Sequence, residues 1–223
     1  MVESRRKIAA GLALWVAVAW GPSSAKVGED IAGYFESYYR QEVVGGTYRG
    51  PLDFLRDAAA AHVTADRMLH PTETRSVLID RRNGYLRIDD GAGTDQVLTM
   101  AVYRRSGGGR LLVVGSSNCA DGCGLSVEFF TPGADRLNPV ARDAVLPQIE
   151  PRQFVKAGHR MPDRLKSIVP SIGYVPARRG TTLTLKPWYG YEAEEQMRSA
   201  ERAAVRSLVL HWDRERGRFV MRP

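Results

Sequence analysis

Apolar residues along this chain repeat first with the period of a helix and then with the period of a strand. Ile31, Tyr34, Phe35 and Tyr38 fall at i, i+3, i+4 and i+7, which gathers them on one face of a helix. Glu29 and Asp30 precede them, where negative charge complements the helix dipole. The spacing predicts an amphipathic helix of about 13 residues whose stripe is a core face. Gly45-Gly46 ends it, and Gly50-Pro51 opens a second short helical stretch over 52–61.

From residue 76 the period becomes two. Val77-Leu78-Ile79 and Tyr85-Leu86-Arg87-Ile88 flank Arg81-Arg82-Asn83-Gly84, and Asn-Gly between strand patterns is a hairpin signal. Val97–Tyr103, Leu111–Val114 and Leu125–Phe130 continue the pattern, so a meander of about five strands is expected. Thr182–Lys186 alternates again, with Pro187 barring a central strand beyond it. Glu192–Arg206 is helical in period. The chain closes on a hairpin that directs Leu208, Leu210 and Trp212 inward against Phe219 and Met221, with Arg218 and Arg222 outward.

The two cysteines, Cys119 and Cys123, flank Ala120-Asp121-Gly122 between two of these strands. Opposed antiparallel residues stand about 4.5–5.5 Å apart, within disulfide reach. A staple across a hairpin tip is the expected state. Redox chemistry prefers C-x-x-C at a helix start, and zinc needs ligands that His62, His70, His159 and His211 are too scattered to supply. No metal or cofactor is implied. The loop holding Asp89, Asp90 and Asp95 lacks a calcium-loop pattern and suits a solvated turn.

The first residues are Met-Val-Glu-Ser followed by Arg5-Arg6-Lys7, an apolar run from Ile8 to Trp20, and Ser23-Ser24-Ala25. Those are the three regions of a cleavable signal peptide, so export to the periplasm or secretion is expected, with cleavage after Ala25. No later apolar run reaches spanning length. The expected organisation is a signal peptide over 1–25 and one α+β domain over 26–223. Within it lie a helical part over 26–72, a β-meander over 73–134, an irregular basic segment over 135–180, and a strand, helix and hairpin over 181–223. The expected fold class is α+β, with N-terminal amphipathic helices, an antiparallel meander curled into a sheet or partial barrel, and a C-terminal helix and hairpin.

Charge is the feature that points to a partner. Beyond residue 25 the chain carries 29 Lys and Arg against 24 Asp and Glu, a net +5. Residues 151–190 alone are +7, leaving −2 for the rest. Their arginines and lysines, with Tyr174, Trp188, Tyr189 and Tyr191 nearby, suit an anionic glycan, a lipid headgroup or an acidic protein; nucleic acid fits poorly with export. The expected function is a non-enzymatic binding or accessory protein that holds an anionic partner through Arg160, Arg164, Lys166, Arg178 and Arg179. Changing the same amount of charge at Arg81, Arg82, Arg104, Arg105 and Arg110 would be the control for a generic cation effect. No nucleophile, zinc-protease or nucleotide-binding motif occurs. The alternative is an exported hydrolase built from His159 or His211 with Asp89 or Glu128.

Overall fold

A computed structural model describes residues 28–44, 68–72, 75–90, 96–118, 124–162, 171–190, 197 and 199–222. The expected signal peptide, the expected helical stretch over 52–61, residues 91–95, both cysteines, and Arg164 and Lys166 lie outside the described residues. So does most of 191–198.

Two antiparallel sheets make up the fold. The first is an uninterrupted meander of seven strands in chain order: β1 (Met68–Thr72), β2 (Arg75–Asp80), β3 (Tyr85–Asp90), β4 (Gln96–Arg104), β5 (Arg110–Asn118), β6 (Gly124–Pro132) and β7 (Leu137–Pro139). The second has four strands in the order β11-β10-β9-β8, from β8 (Ser171–Pro176), β9 (Thr182–Trp188), β10 (Leu208–Asp213) and β11 (Arg218–Met221).

This corrects the α+β expectation. The protein is mostly β, its sheets do not close into a barrel, and α1 (Ile31–Tyr38) is the one described helix longer than six residues. The predicted 13-residue helix is α1 continued by a π-turn over Tyr39–Val44. Asp30 caps α1, its Oδ1 accepting from Gly33 N at 3.0 Å. Of the later helical stretch, expected over 192–206, Ser199–Ala204 is helical and Val205 instead forms an isolated bridge with Val155. Within 135–180 the described residues include β7, a helical turn at Arg142–Val145, a 3-10 turn at Pro151–Phe154, and β8.

Side-chain alternation sets up three layers. Val77, Ile79, Leu86, Ile88, Leu98, Met100, Leu112 and Val114 leave one face of the meander and pack under Ile31, Tyr34, Phe35 and Tyr38 of α1. Their neighbours in sequence, Tyr85, Ala101, Tyr103, Leu111 and Val113, leave the other face and meet Leu183, Leu185, Leu208, Leu210, Trp212 and Phe219 of the second sheet. The central strands are therefore covered on both faces, which is why Leu111–Val114 reads as an unbroken apolar run rather than an alternation. Each such side chain contributes about 1.5–3 kcal/mol by leaving water.

The sheets approach closely at Gly115, where a Cβ would lie 2.5 Å from the Tyr174 carbonyl oxygen. β8 hides from sequence patterning because Pro170 precedes it and Pro176 ends it; both are tolerated because β8 is an edge strand. Pro187 sits in β9 beyond the stretch Thr182–Leu185 that pairs with β10, so its missing N–H breaks no central ladder. Met221 pairs opposite Leu210 but stays 40% exposed, because β11 is also an edge.

Candidate functional site

Alternate turns of an up-and-down meander open at the same end of the sheet. The β2–β3 turn and the β4–β5 turn share one end, and the turns β8–β9 and β10–β11 of the second sheet come to it as well. The start of α1 completes the enclosure. Between them lies a cleft of about 450 Å³ lined by Arg81, Arg82, Arg104, Arg110 and Arg214, opposed by Glu29 and Asp30.

Each wall is held by the local sequence. Asp80 Oδ1 accepts from the Asn83 backbone at 3.1 Å and its Oδ2 from Asn83 Nδ2 at 2.8 Å, folding the Arg81–Gly84 turn back on β2. Gly84 closes that turn with φ +62, a conformation that favours glycine. Its carbonyl accepts from Val102 N at 2.9 Å, tying the turn to β4. Tyr103 donates from its hydroxyl to the Thr182 carbonyl at 2.8 Å. Trp212 donates its backbone N–H to Thr181 and its indole N–H to the Arg104 carbonyl, both at 2.8 Å. Ser106 N donates to the Arg214 carbonyl at 3.0 Å. Behind the cleft, the rings of Tyr103, Trp212 and Phe219 meet at centroid distances of 4.9–5.6 Å, joining the two sheets. Burial pushes the Tyr103 hydroxyl well above the usual range, keeping it a neutral donor.

The five cleft guanidiniums divide into two groups. Arg81 is ion-paired with Asp30. Arg110 donates to Tyr34 Oη at 2.5 Å and to the Glu29 carbonyl at 3.0 Å. The Tyr34 bond holds its proton still more firmly. Among the described residues, the side chains of Arg82, Arg104 and Arg214 make no ion pair or hydrogen bond, and all three residues are exposed. Arg104 stands directly opposite Arg110 in the β4–β5 ladder.

The structure spreads the predicted basic segment. Arg178 leans back on β2, its Nε 2.8 Å from Asp80 Oδ2. Arg179 is exposed in the β8–β9 turn, while Arg160 is exposed beside the turn that follows the 3-10 helix and already has a partner. Tyr174 and Tyr189 are 7% and 6% exposed, so their rings pack inward. The four groups of the hydrolase alternative fall in different places. Glu128 accepts from Tyr38 Oη at 2.8 Å on the α1 side of the meander. Asp89 accepts from Arg87 at 2.5 Å. His159 is exposed in a loop, and His211 alternates with buried Leu210 and Trp212 and so faces out of the second sheet.

No protein-family model matches the sequence. No curated protein matches it. The chain is similar to the solved structure of a domain of an uncharacterized protein from Porphyromonas gingivalis W83. The two share 16% identity over 85% of this chain and 97% of that one, with a TM-score of 0.55. That likeness shows the fold alone. No helix among the described residues is long and apolar enough to cross a membrane.

The cleft arginines escape a count of charge along the chain because they come in ones and twos. Their common signal is position: Arg81 and Arg82 form a hairpin turn, Arg104 and Arg110 bracket the next turn at the same end, and Arg214 lies in the last.

Proposed function

We propose that this is an exported, non-enzymatic protein that binds an anionic partner in the arginine cleft. The supporting observation is the convergence of five arginines from three hairpin turns on one concave site, where three of them have no partner among the described residues. Fixed cations gathered in a cleft with low-dielectric walls raise the local concentration of anions. The basic segment serves this site indirectly, since Arg178 anchors the turn whose Gly180 and Thr181 form part of the rim. Export is the reading of the N-terminal residues.

Retention on immobilised heparin tests this reading. Arg82→Glu, Arg104→Glu and Arg214→Glu together are expected to abolish retention with the circular dichroism spectrum unchanged. Arg160→Glu, Arg164→Glu, Lys166→Glu and Arg179→Glu together are expected only to lower the eluting salt concentration. Equal losses from the two sets, or none from the first, reject the cleft.

A further inference from the structure

We propose that the ligand of the cleft is a compact oxyanion carrying more than one phosphate-type group. The proposal rests on the anion-binding reading above and gives it a ligand class. Arg104 and Arg110 oppose one another across two paired strands, a position where like charges repel. Arg110 donates its hydrogen bonds to two uncharged acceptors, the Tyr34 hydroxyl and the Glu29 carbonyl, and the Glu29 carboxylate attracts it less strongly than the Tyr34 bond does, so among the described residues no carboxylate oxygen takes its N–H groups. An oxyanion between the two guanidiniums turns that repulsion into attraction on both sides. Arg82 and Arg214 bring two further guanidiniums from other turns.

Size and lining narrow the class. A water molecule takes up about 30 Å³ of liquid volume, so 450 Å³ exceeds one tetrahedral oxyanion several-fold. It falls within the roughly 300–1,000 Å³ of small-ligand sites. Tyr34, Tyr103 and Trp212 line the cleft but are 2–3% exposed, so they present no ring face for stacking. Recognition then falls to charge and to guanidinium forks, which match phosphate oxygens two at a time. Two sources share this chemistry, a free diphosphate-like ligand and the multiply phosphorylated headgroup of a lipid.

Calorimetric titration of the purified protein with inorganic pyrophosphate, against citrate as a carboxylate of comparable charge, tests the class. Pyrophosphate is expected to bind at least tenfold more tightly. Arg104→Lys and Arg214→Lys keep the charge and remove the fork, so each is expected to weaken pyrophosphate at least tenfold. Citrate binding equally well, or lysine variants that bind pyrophosphate as the parent does, overturns the phosphate class and leaves the broader anion reading intact. Failure of the unaltered protein to stay on heparin instead removes the reading on which the class rests. Co-sedimentation with phosphatidylinositol bisphosphate vesicles that pyrophosphate competes away assigns the headgroup source. Pyrophosphate binding without co-sedimentation assigns the free ligand, and absence of both overturns the proposal.

Discussion

Arg178 Nε lies 2.8 Å from Oδ2 of Asp80, bridging the β8–β9 turn of one sheet to β2 of the other. Asp80 is 3% exposed, so a residue that counts as free positive charge along the chain is committed to a buried carboxylate. The pair also anchors the turn that carries Gly180 and Thr181 to the cleft wall.

Asp80→Asn is expected to lower stability by about 1.5–3 kcal/mol at neutral pH, the range for hydrogen bonds to a charged group. Burial alone would raise the Asp80 pKa, but the bonds from Asn83 and Arg178 outweigh it and hold the carboxyl below its ordinary value. The folded pKa is the lower one, so the stabilisation is complete above the unfolded value of about 3.9 and is lost as pH falls through the folded value. Urea midpoints between pH 2 and 7 check this. The variant should lose less stability than the parent over the acid part of that range.

At the alkaline end the sign reverses. Tyr85, Tyr103 and Tyr174 all have hydroxyl pKa values raised by burial. Their contribution is complete below the unfolded value of about 10 and declines as pH rises above it, where the unfolded chain ionises first. Tyr103→Phe removes the bond to the Thr182 carbonyl and should cost about 0.5–1.5 kcal/mol at pH 7. Melting temperatures between pH 8 and 11 should fall less steeply in the variant than in the parent.

Gly115→Ala places a methyl group 2.5 Å from the Tyr174 carbonyl oxygen. The obstacle is backbone in β8, so relief requires the sheets to separate. A loss of about 1–3 kcal/mol is expected, as for overpacked cores. Denaturant midpoints measure it, and Gly107→Ala, where a Cβ meets nothing within 4 Å, is the control that should show no comparable loss.

Export and the cysteine staple are tested on material recovered from outside the cytoplasm. N-terminal sequencing should begin at Lys26. Thiol labelling of the denatured, unreduced protein should find neither Cys119 nor Cys123 free, and two labelled thiols would reject the staple.

The sequence by itself determined the strands from β2 to β6 and the closing hairpin. There the side-chain period of two, the Asn83-Gly84 turn and runs such as Leu111–Val114 are local consequences of backbone geometry and of burial. It also determined the core residues Leu208, Leu210, Trp212 and Phe219, which follow from one register. Tertiary structure alone decided that β8, flanked by proline, finds an edge where missing donors cost nothing, and that the described residues form two stacked sheets with one helix longer than six residues. It alone decided where charge gathers. A window along the chain adds up neighbours in sequence, and so it ranked 151–190 first. It treated Arg81, Arg82, Arg104 and Arg110 as background. Chain reversal at successive hairpins brings those four, with Arg214, to one end of the molecule, while Asp80 takes Arg178 out of the count. Electrostatic interaction depends on separation in space, and in a meander the residues that meet at one end are separated by whole hairpins along the chain.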